Sequence, residues 1–429
     1  MKKKLNIAVV GLGQVGIYLL NELNTKKKDI EIKTGKKINI SAISAKNINK
    51  KRRFKINKKI FFKNPLDIIK LKEIDILFEV IGSSDGISKK IVEESLKNKI
   101  HVITPNKSLI AKHGDYLSNL AEKNKVNLEF EASVAGGVPI LRTIKEGLAT
   151  NKILKIYGIL NGTCNYILSE MERSKDSFLN VLKKAQKLGY AEISNPIFDL
   201  NGLDALAKVR ILSSLAFNNK ISNKKCLMEG IENIEFKDID IAKQLNYRIK
   251  LLGITELINQ KLFERVHPCL VKKDTYIGNV NGVMNAVIVN GSPVGESILQ
   301  GEGAGPGPTS SALMSDLLSI LRGNIKYPFG VSNRKRKKIK IYNVNNYLNS
   351  LYLRFEVKDK PGVLSQITHS LAKKNISVER LIQIPDHKNK KASIVIITHK
   401  TNESDANNCL KSLKSNKNIL RNPTRIRLF

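Results

Sequence analysis

The feature that most constrains the fold is an apolar stretch near the N-terminus that runs directly into three glycines. Residues 5–16 read LNIAVVGLGQVG, and a helical pattern follows from Val15 to Lys26. A strand, a glycine-rich turn and a helix in this order open the doubly wound parallel sheet of a Rossmann domain. In that fold the turn lets the backbone approach the pyrophosphate of a dinucleotide, whose charge the helix N-terminus stabilises. An ordinary glycine-rich turn is the alternative interpretation.

The turn and the end of the second predicted strand together indicate a nicotinamide cofactor, either NADP or NAD. The turn residues expected at the cofactor are Gly11, Leu12, Gly13, Gln14, Val15 and Gly16. NAD sites usually place an acid at the end of the second strand to hold the ribose hydroxyls. Residues 43–53 contain no acid and offer Lys46 and Arg52 instead, which favours the 2′-phosphate of NADP. Basic side chains that are merely solvated are the alternative.

The apolar pattern predicts an α/β protein with several domains. Strands that alternate with helices are expected at 4–10, 38–44, 74–82, 100–106 and 126–137. The predicted domains are a Rossmann doubly wound sheet at 1–140 that is completed by a helix at 305–322, a mixed α+β domain at 141–325, a basic linker at 326–349, and a ferredoxin-like βαββαβ module at 350–429.

Charge and composition exclude some classes of protein. The formal net charge of +36 raises the question of nucleic-acid binding. The basic residues are spread along the chain without interleaved aromatic residues. The preferred explanation is therefore an amino-acid composition biased towards Lys, Ile and Asn, and no nucleic-acid partner is expected. No apolar run reaches the ~18 residues that a membrane span needs. Four scattered cysteines predict free thiols and a cytoplasmic protein.

The segment EISNPIFDLNGLDALAK, residues 192–208, brings three carboxylates close to one lysine. Asp204 and Lys208 are four residues apart, so they share one face of a predicted helix whose other neighbours are apolar. Buried charges need partners or a chemical task. A lysine in a partly dry pocket suits proton transfer, and carboxylates beside it suit a substrate ammonium. The alternative is a surface ion pair worth about 0.2–0.5 kcal/mol.

This segment resembles the substrate and catalytic region of the homoserine dehydrogenases. Four further motifs resemble that family, namely VITPNKSLIA (102–111), FEASVAGGVPI (130–140), GILNGTCNYIL (158–168) and GEGAGPGPTSSALMSDL (301–317). With the glycine-rich turn, the resemblance covers roughly residues 4–325. It implies NAD(P)-dependent interconversion of L-homoserine and L-aspartate 4-semialdehyde, in threonine and methionine biosynthesis. It also implies that the mixed domain at 141–325 is the catalytic and dimerisation domain. A dehydrogenase for another amino-acid semialdehyde and a non-catalytic amino-acid sensor are the alternatives.

The resemblance also implies roles for individual residues. Lys208 would be the general acid/base on the alcohol oxygen, and Lys107 a second functional lysine near nicotinamide and substrate. Glu192, Asp199 and Asp204 would hold homoserine. The other residues implied at the substrate or the cofactor are Asn161, Thr163, Gly189, Tyr190, Gly303 and Gly305, with Glu192 also beside the cofactor. A sodium site is implied at Glu131, Val134, Gly136 and Val138; a strand that ends in a glycine-rich turn is the alternative there.

Two departures from the family pattern are visible. Cys164 occupies a position where the family usually has Thr or another small residue. A nucleophilic role is one interpretation, but no His lies near it in sequence, so packing is preferred. The loop between Glu192 and Asp199 is one residue longer than the common form and has Asn195 where an Asp is usual.

The C-terminal segment DKPGVLSQITHSLAKKNISVERLIQ (359–383) resembles an ACT domain. Pro361 and Gly362 open its first helix, where such modules bind amino acids. The resemblance implies feedback control with threonine as the candidate ligand, and a homodimer or homotetramer. A dimerisation module without a ligand is the alternative.

Overall fold

The computed structural model describes residues 3–48, 50, 57–323 and 325–429. Its N-terminal domain contains a parallel sheet of six strands, in the order third, second, first, fourth, fifth, sixth. Its strands are Lys4–Val10, Lys37–Ser44, Phe61–Phe62, Ile76–Glu79, His101–Ile103 and Leu128–Glu129. The central strands are continuous apolar runs because helices cover both faces of the sheet. The predicted Rossmann sheet is therefore confirmed.

The helices of this domain come from two distant parts of the chain. The N-terminal helices are Gln14–Thr25, Lys27–Thr34, Leu66–Ile69, Ile87–Lys97 and Lys107–Asn124, with the short 3₁₀ turns Lys58–Ile60 and Glu131–Ser133. The helix Pro306–Leu321 returns from the far side of the middle domain and packs against Gln14–Thr25. Leu313 and Leu317 are buried there in one apolar cluster with Leu19.

One predicted strand is wrong over most of its length. The sequence predicts a strand at 126–137, but the strand ends at Glu129 and a 3₁₀ turn follows. Beyond it, Ala135 and Gly136 both adopt left-handed backbone angles, with φ of 54° and 50°. A strand cannot continue through such angles. The chain forms a compact loop at this point instead.

The middle domain is a mixed layer of sheet and helices. Its strands are Lys152–Ile159, Leu227–Met228, Tyr247–Ile258, Lys261–Lys272, Met284–Ser292 and Gly295–Glu302. Its helices are Ile140–Arg142, Gly162–Ser174, Phe178–Lys187, Ile197–Leu200, Leu203–Ala216 and Phe236–Gln244, with a π-helix at Thr143–Gly147 and a 3₁₀ turn at Ile277–Asn279. Helix Leu203–Ala216 packs on the sheet and on Lys107–Asn124 of the Rossmann domain, so it lies where the two domains meet.

The C-terminal module has the predicted βαββαβ order. Its elements are Leu351–Lys358, Val363–Ala372, Val378–Asp386, Lys391–Thr398, Glu403–Leu413 and Thr424–Leu428, with the two-residue strands Leu348–Asn349 and Thr401–Asn402 and a 3₁₀ turn at Val344–Asn346. Its last strand also pairs with the middle-domain strand Lys261–Lys272, through Cys269 with Arg427 and Leu270 with Leu428. The two domains therefore share one sheet of ten strands.

The basic segment before this module lies along the middle domain. The backbone N–H of Lys220 donates to the Lys337 carbonyl at 2.9 Å, and that of Leu262 donates to the Lys340 carbonyl at 2.8 Å. The guanidinium of Arg336 is buried and pairs with Asp115 at 2.7 Å. These contacts hold the segment against two neighbouring elements. No helix in the described ranges combines the length and apolar character needed to cross a membrane.

Candidate active site

The glycine-rich turn has the geometry that the sequence predicts. Gly11 has φ of 105°, and a side chain on it would collide with the Val80 backbone. A side chain on Gly16 would collide with the Gly11 carbonyl, so this glycine lets helix and strand pack closely. Gly13 faces open space. The N-terminus of helix Gln14–Thr25 is therefore accessible to an anionic ligand.

The end of the second strand presents a basic residue to solvent. The strand Lys37–Ser44 ends beside the turn, and the Gly11 N–H donates to the Ser44 carbonyl at 2.9 Å. Lys46 follows two residues later and is exposed. Arg52 lies outside the described residues. Of the two residues predicted to contact a 2′-phosphate, the structure therefore places only Lys46.

The centre of the site is a carboxylate held between two lysines. Lys208 Nζ lies 2.7 Å from Asp204 Oδ2, and Lys107 Nζ lies 2.7 Å from Asp204 Oδ1. Lys208 Nζ also donates to the Leu160 carbonyl at 2.6 Å. Lys107 is the first residue of a Rossmann helix, whereas Asp204 and Lys208 lie on a middle-domain helix. The ion pair therefore crosses the domain boundary.

A second carboxylate joins this group through Asn161. The Asn161 side-chain amide donates to both Asp199 Oδ1 and Asp204 Oδ2, each at 2.9 Å. Its oxygen accepts from the Cys164 N–H at 2.8 Å and so caps helix Gly162–Ser174. The Cys164 thiol donates to the Asp199 carbonyl at 3.3 Å, and burial raises its pKa well above the usual value. A protonated thiol is a poor nucleophile, which supports the packing role.

The remaining predicted substrate residues surround this centre. The Thr163 hydroxyl donates to the Tyr190 carbonyl at 2.6 Å, which fixes the loop that follows Gly189. Glu192 is exposed and lines the cleft on the nucleotide side. The longer loop that contains Asn195 lies on the same side.

Burial and charge shift the pKa values of the two lysines in opposite directions. Burial lowers the pKa of Lys208, Asp204 opposes this shift, and the charge of Lys107 adds to the lowering. Lys107 is also desolvated, but the carboxylates of Asp204, Asp199 and Glu192 outweigh the burial and raise its pKa. Lys208 is therefore the lysine that loses a proton more readily.

The pKa values of the acids differ in the same way. Burial raises the pKa of Asp204, but the charges of Lys208 and Lys107 outweigh it and hold the pKa below its usual value. Burial and the neighbouring charge of Asp204 raise the pKa of Asp199. Asp204 therefore keeps its negative charge, whereas an added cation would stabilise the ionised form of Asp199.

Two adjoining clefts meet at this centre. One, of about 760 Å³, is lined by Gly13, Val80, Lys107 and Glu192. The other, of about 650 Å³, reaches Lys208 and is lined on its far side by the glycine-rich turn Gly303–Gly305. Lys107 and Asp204 border both clefts. A dinucleotide in the first cleft would therefore meet a small substrate in the second.

The loop predicted to bind sodium lines part of the second cleft. A side chain on Gly136 would collide with the Gly303 backbone, and the Gly137 N–H donates to the Glu302 carbonyl at 3.1 Å. Both oxygens of the Glu131 carboxylate accept backbone N–H groups, from Leu141 and Arg142, at 2.8 Å each. The described residues contain no cluster of His, Cys, Asp or Glu side chains arranged to hold a metal ion. A cation at this loop would have to rely mainly on carbonyl oxygens.

Comparison with known proteins decides the family. The family model "Homoserine dehydrogenase" matches residues 139–318, the model of its NAD-binding domain matches residues 11–131, and an ACT-domain model matches residues 351–418. The chain is 39% identical over 419 residues to the homoserine dehydrogenase of Neisseria gonorrhoeae, covering 96% of each chain. It is 38% identical over 429 residues to that of Helicobacter pylori, covering 100% of both.

A solved structure agrees with these matches. The crystal structure of a homoserine dehydrogenase from Thiobacillus denitrificans superposes with a TM-score of 0.92 at 35% identity, over 100% of this chain and 98% of that one. The chain belongs to the homoserine dehydrogenase family. Homoserine dehydrogenases are NAD(P)-dependent oxidoreductases that interconvert L-homoserine and L-aspartate 4-semialdehyde, and this chain is such an enzyme, with an ACT domain at its C-terminal end.

Sequence reasoning missed two parts of this homoserine dehydrogenase site. The Leu160 carbonyl holds Lys208 by its backbone, so no side chain signalled it. Glu79 is the last residue of the strand Ile76–Glu79 and is fully buried. Its signal was available, because it is the one acid inside the apolar run IDILFEVIG apart from Asp75 near its start.

Proposed function

We propose that Lys208 is the group that moves the proton of the substrate hydroxyl. A neutral lysine amine has two N–H donors and one lone pair. In this site two acceptors already surround Lys208 Nζ, namely Asp204 and the Leu160 carbonyl. The lone pair is left for a ligand in the cleft that Lys208 lines. This arrangement is the observation that carries the proposal, because it orients a base rather than a simple ion pair.

The residues then divide the work as follows. In homoserine oxidation Lys208 Nζ takes the hydroxyl proton, and in the reverse direction it returns that proton to the carbonyl oxygen. A bound nicotinamide would accept or supply the hydride at the carbon that bears this oxygen. Lys107 stays protonated, since its pKa is raised, and places a positive charge beside the reacting oxygen.

The charges favour binding of the substrate ammonium by Asp199 and Glu192. Asp204 already pairs with two lysines, so its part in substrate binding is to hold those lysines in place. Asp199 accepts a hydrogen bond from Asn161 and has no lysine within ion-pair distance in the described chain. A substrate ammonium would lower its raised pKa and restore its charge. Glu192, across the cleft, supplies a second negative charge.

NADP is the proposed cofactor. Lys46 is exposed just beyond the second strand, and residues 43–53 contain no acid that would repel a 2′-phosphate. A positive side chain at this point attracts the added phosphate charge, whereas NAD gains nothing from it. Gly11 to Gly16 would hold the pyrophosphate, with Gly189, Gly303 and Gly305 around the nicotinamide side of the cleft.

A sodium ion is proposed at the loop Glu131–Val138. In the described chain the carbonyl oxygens of the buried residues Val134 and Gly136 accept no hydrogen bond, which is unusual for buried backbone. Behind the loop lies a buried acidic cluster, defined as Glu129, Glu131 and Asp316, and among the described residues its ion-pair partners are Lys145 and Arg142. Burial raises the pKa of Glu131 and of Asp316, and a cation at the free carbonyls would stabilise the ionised carboxylates, which fits a hard monovalent cation.

We further propose threonine as the ligand of the ACT module, at the turn of Pro361 and Gly362, and a homodimer or homotetramer in the cytoplasm. The domain limits at 140, 325 and 349 are proposed on the same basis. Gly362 has φ of 84°, so the turn keeps a backbone shape that exposes the first N–H groups of helix Val363–Ala372. A carboxylate suits such a helix start.

The proposal is tested by two matched lysine variants. Reduced nicotinamide is measured after L-homoserine is added with NADP or NAD. Lys208→Met should lose activity by at least about 100-fold, the usual contribution of general acid/base catalysis. Lys250→Met is the control, because Lys250 is also buried and burial lowers its pKa to about 8, yet it lines neither cleft. Near wild-type activity in Lys208→Met would remove this lysine from the mechanism.

A further inference from the structure

Glu79 is a buried carboxylate that the proton and hydride chemistry does not use. It is the last residue of the strand Ile76–Glu79, at the carboxyl ends of the parallel strands, and its side chain has no exposed surface. One oxygen accepts from the backbone N–H groups of Ile81 and Gly82, at 2.9 and 3.3 Å, and from the Ser88 hydroxyl. Ile81 and Gly82 line the cleft on the nucleotide side.

The other oxygen of Glu79 reaches the loop that carries a functional lysine. It accepts from the Thr104 hydroxyl at 2.6 Å and from the Asn106 amide at 3.4 Å. Asn106 in turn caps the next helix, because its side-chain oxygen accepts the Leu109 N–H at 3.1 Å. Lys107 is the first residue of that helix. One carboxylate therefore ties together the two loops that frame the cofactor cleft.

We propose that Glu79 is a positioning residue that fixes Lys107 against Asp204 and the nicotinamide. Within the described residues its five partners are two backbone N–H groups, two hydroxyls and one amide, and each of them donates to the carboxylate. An ionised carboxylate offers only acceptors, so it satisfies them together. A glutamine would turn an amide donor towards some of these donors and push the loops apart.

The alternative is that Glu79 only stabilises the Rossmann core. The two roles differ in their effect on Lys208, so the inference rests on the proposed function of that lysine. The charge of Lys107 lowers the pKa of Lys208. If Lys107 moves away, the pKa of Lys208 rises and the acid limb of the pH–kcat profile for homoserine oxidation moves to higher pH. A loss of folded protein alone would reduce the amplitude and leave the limb in place.

The experiment compares Glu79→Gln and Thr104→Val with two references. Both variants should lose roughly 10- to 100-fold in kcat, as expected for a small displacement of a positioned group, and both should move the acid limb upwards. Lys107→Met should move it in the same direction. The control is Thr398→Val, because Thr398 is a buried threonine in the ACT module whose hydroxyl accepts the Leu351 N–H at 3.0 Å.

Each outcome separates the possibilities. An unchanged acid limb in Thr104→Val, when Lys107→Met moves it, would overturn the positioning role. Thr104→Val decides the question if Glu79→Gln does not fold, because it removes one hydroxyl and leaves the carboxylate. If Lys107→Met leaves the limb unchanged while Lys208→Met is inactive, the coupling through Lys107 is wrong. If Lys208→Met is active, the proposed function fails first, and the profile no longer reports on Lys208.

Discussion

Replacing Asp204 with Asn should weaken the fold and also move the pH dependence of the reaction. Asp204 is 2% exposed and accepts hydrogen bonds from Lys208, Lys107 and Asn161. Asn keeps the shape but leaves both lysines without their shared counter-charge. Removing one partner from a buried ion pair typically costs about 3–5 kcal/mol. The side chain of Lys107 is 35% exposed, so water relieves part of its loss and about 3 kcal/mol is expected.

The sign of the pH effect follows from the charges around Lys208. Asp204 raises the pKa of Lys208, whereas burial and Lys107 lower it. Without the Asp204 charge the pKa of Lys208 falls further, so the neutral base exists at lower pH. The acid limb of the pH–kcat profile should move down in Asp204→Asn, opposite to the shift expected for Lys107→Met. The maximum kcat should still fall, because Lys208 and Lys107 lose a common anchor.

The assays are homoserine oxidation across pH and denaturant unfolding at several pH values. In the folded variant Lys208 loses its proton at a lower pH than in the unfolded chain, where its pKa is the ordinary value of about 10.4. Stability should therefore rise with pH between the lowered pKa of the folded state and about 10.4. Asp238→Asn is the control. Asp238 is also fully buried, and it pairs with Arg354 far from the clefts. An acid limb that moves upwards or stays fixed in Asp204→Asn would refute the reasoning.

Three further predictions concern other parts of the molecule. Lys46→Glu should reduce kcat/KM with NADP much more than with NAD, and equal losses would contradict the assignment of Lys46 to the 2′-phosphate. Replacing potassium with sodium at constant ionic strength should raise the unfolding temperature of the wild type. It should not raise that of Glu131→Gln, because this variant lowers the negative charge at the loop Glu131–Val138. Equal responses would argue against the cation site. Burial raises the pKa of Glu264 to about 7. The wild-type free energy of unfolding should therefore fall as pH rises from the pKa of Glu264 in the unfolded chain towards 7. Denaturant unfolding should show that the stability of Glu264→Gln relative to wild type is about 3 kcal/mol higher at pH 8 than at pH 4.

The sequence predicts the local parts of this site well. The helix face that carries Asp204 and Lys208 follows from four-residue spacing, and the glycine turn follows from its strand and helix context. The ion pair between Lys107 and Asp204 spans two domains. Spacing along the chain contains no signal for such a contact, and only the family resemblance pointed to Lys107.

Other features escaped sequence reasoning for physical reasons. The predicted strand at 126–137 stops early because a 3₁₀ turn begins at Glu131. Farther along, Ala135 adopts a left-handed backbone angle that its residue type does not signal. Glu79 was passed over because one acid within the otherwise apolar stretch 76–82 disturbs the strand pattern little. The junction with the ACT module rests on two paired residues of each strand, and so short a register leaves no trace in the apolar pattern.

The shared sheet has a practical consequence for anyone who wishes to study the domains separately. Strand Thr424–Leu428 gives hydrogen bonds to the ACT strand Leu351–Lys358 on one side and to the middle domain on the other. Cutting the chain between the domains would leave each half with an open strand edge. Such edges recruit other chains. Aggregation or non-native dimerisation of either half would then be a result of the truncation and carry no information about how the intact enzyme assembles.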